Sequence, residues 1–210
     1  MGVECSGRVY LEKPGNWVFP FDGMAVAGSD SHVVLACMLP LDGFIDHWGQ
    51  CYHFSGGVSV RAGVSGNRNG ILLELHIEAG AKVPCARCLK DAPLDISRDL
   101  RYFYKPLSSA DPGFDDEGDQ GIVLVESIES DIDISDQVWE SLILSLPEKV
   151  LCSPDCKGIC PVCGSDKNRT QCDCARDDLD PRFEVLAEVK RPDNGYVSGK
   201  GGNQSGSSQK

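Results

Sequence analysis

Six cysteines fall within 23 residues: Cys152, Cys156, Cys160, Cys163, Cys172 and Cys174. The sharpest piece is Cys160-Pro161-Val162-Cys163-Gly164, where two thiolates two residues apart fit on one turn of backbone. Gly164 can take the left-handed conformation that such a turn needs. Zinc asks for four ligands in a tetrahedron, so a second pair must close the site. The spacing favours Cys160, Cys163, Cys172 and Cys174 as the metal ligands, with Cys152 and Cys156 as alternates or as part of a second site. Six thiolates sharing two ions is a further arrangement. No histidine follows His76, so a site here is all sulfur unless an Asp takes part. A closed four-thiolate shell leaves no position for water, which makes the expected role structural rather than catalytic. So short a module cannot fold by burial alone, whereas metal binding supplies ~10–16 kcal/mol in comparable peptides.

The remaining chemistry-bearing residues say less. Cys85-Ala86-Arg87-Cys88 invites a thiol redox reading, but a thioredoxin-type pair opens a helix after a strand. Here the pair lies between two predicted strands. A local turn, a packed pair or a metal half-site completed by other cysteines are the alternatives. His47, Cys51 and His53 lie close enough in sequence for a ligand cluster, though such residues more often sit singly on a sheet. Cys5 and Cys37 suggest nothing specific. There is no G-x-S-x-G, no P-loop and no G-x-G-x-x-G, and none of the four histidines stands beside a nucleophile. Glu140 is a lone helical carboxylate, so acid–base catalysis has few candidates and no enzyme is expected.

Eleven cysteines in 210 residues would suggest disulfides in a small secreted chain. The first thirty residues lack a basic start followed by an apolar core, so no secretory signal is read. A cytoplasmic, reducing location is therefore expected, where clustered cysteines read as ligands. The opening Met1-Gly2-Val3-Glu4-Cys5-Ser6 matches a myristoylation pattern, but no basic patch accompanies it. No apolar run reaches 18 residues, so no membrane span is expected. Net charge is −12, and residues 106–148 hold twelve Asp and Glu with no Lys or Arg. Coating a nucleic acid needs clustered cations, which excludes broad duplex binding. The acidic stretch could attract a basic protein partner, although a solvated loop that aids solubility is the more ordinary reading of such a run.

The elements that would position the cysteines read as short strands. Residues 58–64 alternate apolar and polar, Asn69-Gly70 is a turn signal, and 71–78 places Ile71, Leu73, Leu75 and Ile77 on one face. Further strands are expected at 94–104 and 122–126, separated by an acidic loop at 108–120. Trp17, Phe19 and Phe21 alternate as a short strand that Pro20 places at an edge. Ile134, Val138 and Leu142 recur at helical spacing, with Asp133 or Ser135 to cap the helix and Pro147 to stop it. Asp180-Pro181 opens a last helix with Phe183, Leu186 and Val189 on one stripe. The expected fold is α+β: an antiparallel sheet with one or two packed helices and a C-terminal cysteine-rich, zinc-ribbon-like module. Its divisions are residues 1–45, weakly patterned; 46–148, the β-rich core; 149–191, the cysteine module and short helix; and 192–210, a disordered tail.

Four pieces in order resemble the YceD-like family, the bacterial and plastid proteins described as large ribosomal RNA subunit accumulation proteins. They are V-P-C-A-R-C-L-K-D-A-P-L at 83–94, W-E-S-L-I-L-S-L-P at 139–147, C-K-G-I-C-P-V-C-G at 156–164 and D-P-R-F-E-V-L at 180–186. Residues 1–45 depart from the family pattern, and Met24 and Met38 are later candidate starts. The resemblance implies a role in large-subunit RNA accumulation and ribosome assembly without an enzymatic reaction. It also makes Cys85, Arg87, Cys88 and Glu140 candidates for the family's functional or structural core. The partners it implies are a ribosomal precursor or basic ribosomal proteins, with at most a local rRNA contact and no small-molecule substrate. Two other readings stand beside it: a zinc-ribbon adaptor in transcription or another complex, and a thiol redox protein using Cys85 and Cys88.

Overall fold

In the computed structural model, residues 7–27, 32–67, 70–109 and 120–174 are described. The chain divides into two compact units, Met1–Cys172 and Asp173–Lys210. The account below concerns the first, together with Asp173 and Cys174, which continue directly from it. The myristoylation pattern at 1–6, most of the acidic loop, the helix expected from residue 180 and the tail all lie outside the described residues.

Period-two alternation builds the frame. Strands β1 (Val9–Tyr10), β3 (His32–His47), β4 (Gln50–Asn67), β5 (Gly70–Pro84), β6 (Asp91–Pro106) and β7 (Gln120–Val125) form one sheet in the order β1-β3-β4-β5-β6-β7. The central four pair antiparallel as a meander, while β1 on β3 and β7 on β6 are parallel. Strands β2 (Pro20–Asp22) and β8 (Asp131–Asp133) pair separately as a small antiparallel ribbon. Along β5, Ile71, Leu73, Leu75 and Ile77 are buried while Glu74 and Glu78 face out, as the alternation requires. Val58, Val60, Ala62 and Val64 do the same on β4.

The buried sheet face is covered by Trp17, Phe19 and Phe21 and by helix α1 (Ser135–Leu144), which contributes Val138 and Leu142 to the same core. Three tyrosine hydroxyls from the sheet fasten the helix and the residues after it. Tyr104 Oη donates to Gln137 Oε1 at 2.8 Å, Tyr102 meets Ser141 Oγ at 3.1 Å, and Tyr52 donates to the Pro147 carbonyl. Trp17 donates its indole N–H to the Pro40 carbonyl at 2.7 Å and stands edge-on to Trp139.

The fold differs from the α+β expectation. Among the described residues it is mostly strand, with one ten-residue helix. The physical reason lies in β3. Its outward positions include Val34 and Met38, 68% and 65% exposed, so the stretch reads as an unbroken apolar run and hides its period of two. The strands at 58–64 and 94–104 are also only the most regular parts of strands 18 and 16 residues long.

Ile134 stands at the helix N-cap and makes no side-chain cap. Asp133 takes over that work: its carboxylate accepts from the backbone N–H groups of Phe19 (2.9 Å) and Ser135 (3.0 Å) and from Ser135 Oγ (3.0 Å). Burial pushes its carboxyl up, but these donors outweigh burial and leave it below the usual carboxylate value. Because the folded value is the lower one, the contribution is present at neutral pH and lost as pH falls through it. Asp133→Ala is expected to cost about 1 kcal/mol at pH 6, held to the low side by solvent screening. The gap between the two chains should narrow below about pH 4. Urea unfolding of both chains across that range checks it.

No helix among the described residues is long and apolar enough to cross a membrane.

Candidate metal centre

The β5–β6 connection is a cysteine turn. Leu89 N–H donates to the Cys85 carbonyl at 2.9 Å, and Cys85 N–H donates to the Lys90 carbonyl at 2.8 Å, closing the turn at its base. Arg87 N–H lies 3.5 Å from Cys85 Sγ. The residue after the second cysteine, Leu89, is left-handed at φ 61°. Cys160-Pro161-Val162-Cys163-Gly164 repeats the plan, with Gly164 N–H on the Cys160 carbonyl at 2.9 Å and Gly164 at φ 72°. A C-x-x-C turn thus aims N–H groups at sulfur in both places, which is how such turns stabilise thiolates.

Two sets of four thiols result. Cys85, Cys88, Cys152 and Cys156 form one, and Cys160, Cys163, Cys172 and Cys174 the other; within each set the sulfurs all lie within 4.8 Å of one another. These are the groups of three or more metal-capable side chains among the described residues. All four favoured ligands therefore stand together. The two alternates, Cys152 and Cys156, stand instead beside Cys85 and Cys88, and the two sets share no residue. His47, Cys51 and His53 do not assemble: His53 stacks on Phe44 at 4.6 Å and His47 meets Trp48 edge-on. Cys37 is partly buried, and burial pushes its thiol up.

Arg87 is occupied structurally. Its Nη1 donates to the carbonyls of Cys156 (2.8 Å) and Pro154 (3.4 Å), while its own carbonyl accepts from Ile159 N–H at 3.0 Å. Glu140 is exposed on α1. Burial first, and the Glu140 charge with it, push the Tyr102 hydroxyl up.

Crowding divides the thiols of the first set. Burial pushes Cys85 up, but the backbone N–H groups of Cys152, Cys88 and Arg87 outweigh it and hold the thiol down at about 6. Cys152 is pushed up to about 12 by the neighbouring Cys156 and Cys88. Four sulfurs this close cannot all ionise unless a cation is present to balance them.

Asp166, three residues after Cys163 in sequence, organises the chain near the first set. It pairs with Lys90 and accepts from Asn168 N–H (2.9 Å) and Nδ2 (2.8 Å). The Lys90 ammonium, with the Asn168 N–H behind it, holds this carboxyl down at about 2. Asn168 also directs Nδ2 at Cys156 Sγ, 3.4 Å away. Reading from sequence gave Asp166 and Asn168 no role. The signal available was their place between the two cysteine pairs of one module.

The donor set of either group, four cysteine sulfurs, suits a closed tetrahedral metal site.

Residues 73–190 match the profile of the family described as "Large ribosomal RNA subunit accumulation protein YceD". An "Uncharacterized protein" of Mycobacterium tuberculosis (strain ATCC 25618 / H37Rv) is 29% identical over 131 residues, 62% of this chain and 61% of that one. A protein of Mycobacterium bovis matches to the same extent. The "Large ribosomal RNA subunit accumulation protein YCED homolog 1, chloroplastic" of Arabidopsis thaliana is 32% identical over 60 residues, 29% of this chain and 19% of that protein. The chain thus spans about three fifths of the length of its mycobacterial relatives. No solved structure matches. With more than half of its residues inside the profile, cysteine turns included, the chain belongs to the YceD family.

Proposed function

We propose that this protein is a non-enzymatic factor that supports accumulation of large-subunit ribosomal RNA, working during ribosome assembly in the cytoplasm. The observation that carries this reading is the family match over residues 73–190, which takes in β5, β6, α1 and both cysteine turns. The cysteine set Cys160, Cys163, Cys172 and Cys174 holds zinc and stabilises the module around it. Charge points to the partner. A chain of net charge −12 acts on basic ribosomal proteins of a precursor particle, with at most a local RNA contact.

The geometry around Cys85 weakens a thiol redox reading. That sulfur is fully buried and has three other thiols around it rather than one resolving partner. The ratio of large- to small-subunit rRNA, measured in cells with and without the protein, tests the reading. A selective fall in the large-subunit RNA, restored by the wild-type chain, is expected. An unchanged ratio would refute the role, and co-purification with RNA polymerase in place of ribosomal particles would favour a zinc-ribbon adaptor.

A further inference from the structure

We propose that Cys85, Cys88, Cys152 and Cys156 hold a zinc ion of their own, and that this ion fastens the segment after α1 to the β5–β6 turn. The first support is the spacing of the sulfurs. Four sulfurs ~2.3 Å from a common centre in a tetrahedron stand roughly 3.8 Å apart. Cys85 and Cys156 Sγ are 3.8 Å apart, and Cys88 and Cys152 Sγ are 3.5 Å apart. All four are free thiols.

The surroundings supply a second line of support. Cys85, Cys88 and Cys156 are 0%, 5% and 2% exposed, with Leu151 packed against them. Sulfur receives N–H groups from outside the ligand set: Arg87 N–H approaches Cys85, and Asn168 Nδ2 approaches Cys156. Donors of this kind orient and stabilise metal-bound thiolates.

Topology gives the ion its task. Cys88 and Cys152 are 64 residues apart, and the intervening chain includes β6, β7, β8 and α1. An ion bridging them closes a long loop, and it does so with help from Ala86 N–H on the Val150 carbonyl (2.8 Å) and Arg87 on the Cys156 carbonyl. The other set spans residues 160–174 and constrains only that local stretch. The two ions therefore do different work. The first clamps the end of the sheet to the chain leaving α1, and the second shapes the C-terminal turn.

The full chain, purified under reducing conditions, loaded with zinc and desalted, is examined by native mass spectrometry. Two zinc ions per chain are expected, one for each thiol set. Cys88→Ser and Cys163→Ser should each remove one ion. Only Cys88→Ser should lower the melting temperature of the whole chain markedly. One zinc in the wild type, or wild-type zinc content in Cys88→Ser, overturns the site. Equal melting temperatures in the two variants overturn the clamp. Should Cys88→Ser fail to accumulate, cobalt titration of the reduced, metal-free wild-type chain decides the matter. Tetrathiolate bands that grow to two equivalents support the site, and saturation at one refutes it. These outcomes are independent of the rRNA ratio, so either reading can fail without the other.

Discussion

A chain begun at Met24 is expected not to fold, because it lacks the aromatic cover of the sheet. Trp17, Phe19 and Phe21 are 1%, 7% and 6% exposed and belong to the main core. Their loss removes roughly 1.5–3 kcal/mol of burial for each ring, against a typical domain stability of ~5–15 kcal/mol. The truncation also strands β8, whose pairing partner is β2, and removes Lys13, which pairs with Asp136 at 2.7 Å and donates to Ser135 Oγ. The graded form of the test is a single substitution. Trp17→Ala should lower the unfolding free energy by about 3–5 kcal/mol, as large aromatic truncations in cores do. Trp17→Phe keeps most of the buried area and loses the indole N–H to the Pro40 carbonyl, so about 1 kcal/mol is expected. Urea midpoints with unchanged slopes would check both. A Trp17→Ala chain as stable as wild type would mean that this segment merely lies on the domain.

Three left-handed residues around the cysteine turns give the second large effect, costly at the two glycines to different degrees and reversed in sign at Leu89. Gly158 has φ 73°, and an added methyl would stand 2.9 Å from the Arg87 carbonyl oxygen. That carbonyl is the acceptor for Ile159 N–H, so it cannot move away without breaking the link between the two cysteine turns. Gly158→Ala combines backbone strain with overpacking and should cost about 2–4 kcal/mol. Gly164 has φ 72° but nothing within 4 Å of the added methyl, so Gly164→Ala should cost only ~1–2 kcal/mol of conformational strain. Leu89 already carries that strain at φ 61° with a side chain 58% exposed. Leu89→Gly relieves it and should be neutral or stabilising by up to about 1 kcal/mol. Retention of metal against a competing chelator, read beside urea unfolding, ranks the three. Comparable losses at Gly158 and Gly164 would show that contact with Arg87 plays no part.

What the sequence determined by itself is local. The C-x-x-C spacing dictates a turn with N–H groups on sulfur, because four consecutive residues suffice to build it. The alternation at 71–78 becomes the buried face of β5, and the spacing of Ile134, Val138 and Leu142 becomes α1, because each period reports one element's own geometry. Tertiary structure decided what is non-local. It converted an apolar run without visible alternation into β3, since a strand with Val34 and Met38 outward has no polar face to display. It brought Trp17 to Pro40 and Trp139, contacts that no pattern within residues 1–45 encodes. Most directly for the metal centre, it placed Cys152 and Cys156 against a pair some 64 residues upstream rather than with their neighbours in sequence. Cysteine spacing says which thiols can share a turn. Which turns meet depends on sheet register and on where α1 returns the chain, and those follow from packing across the whole domain.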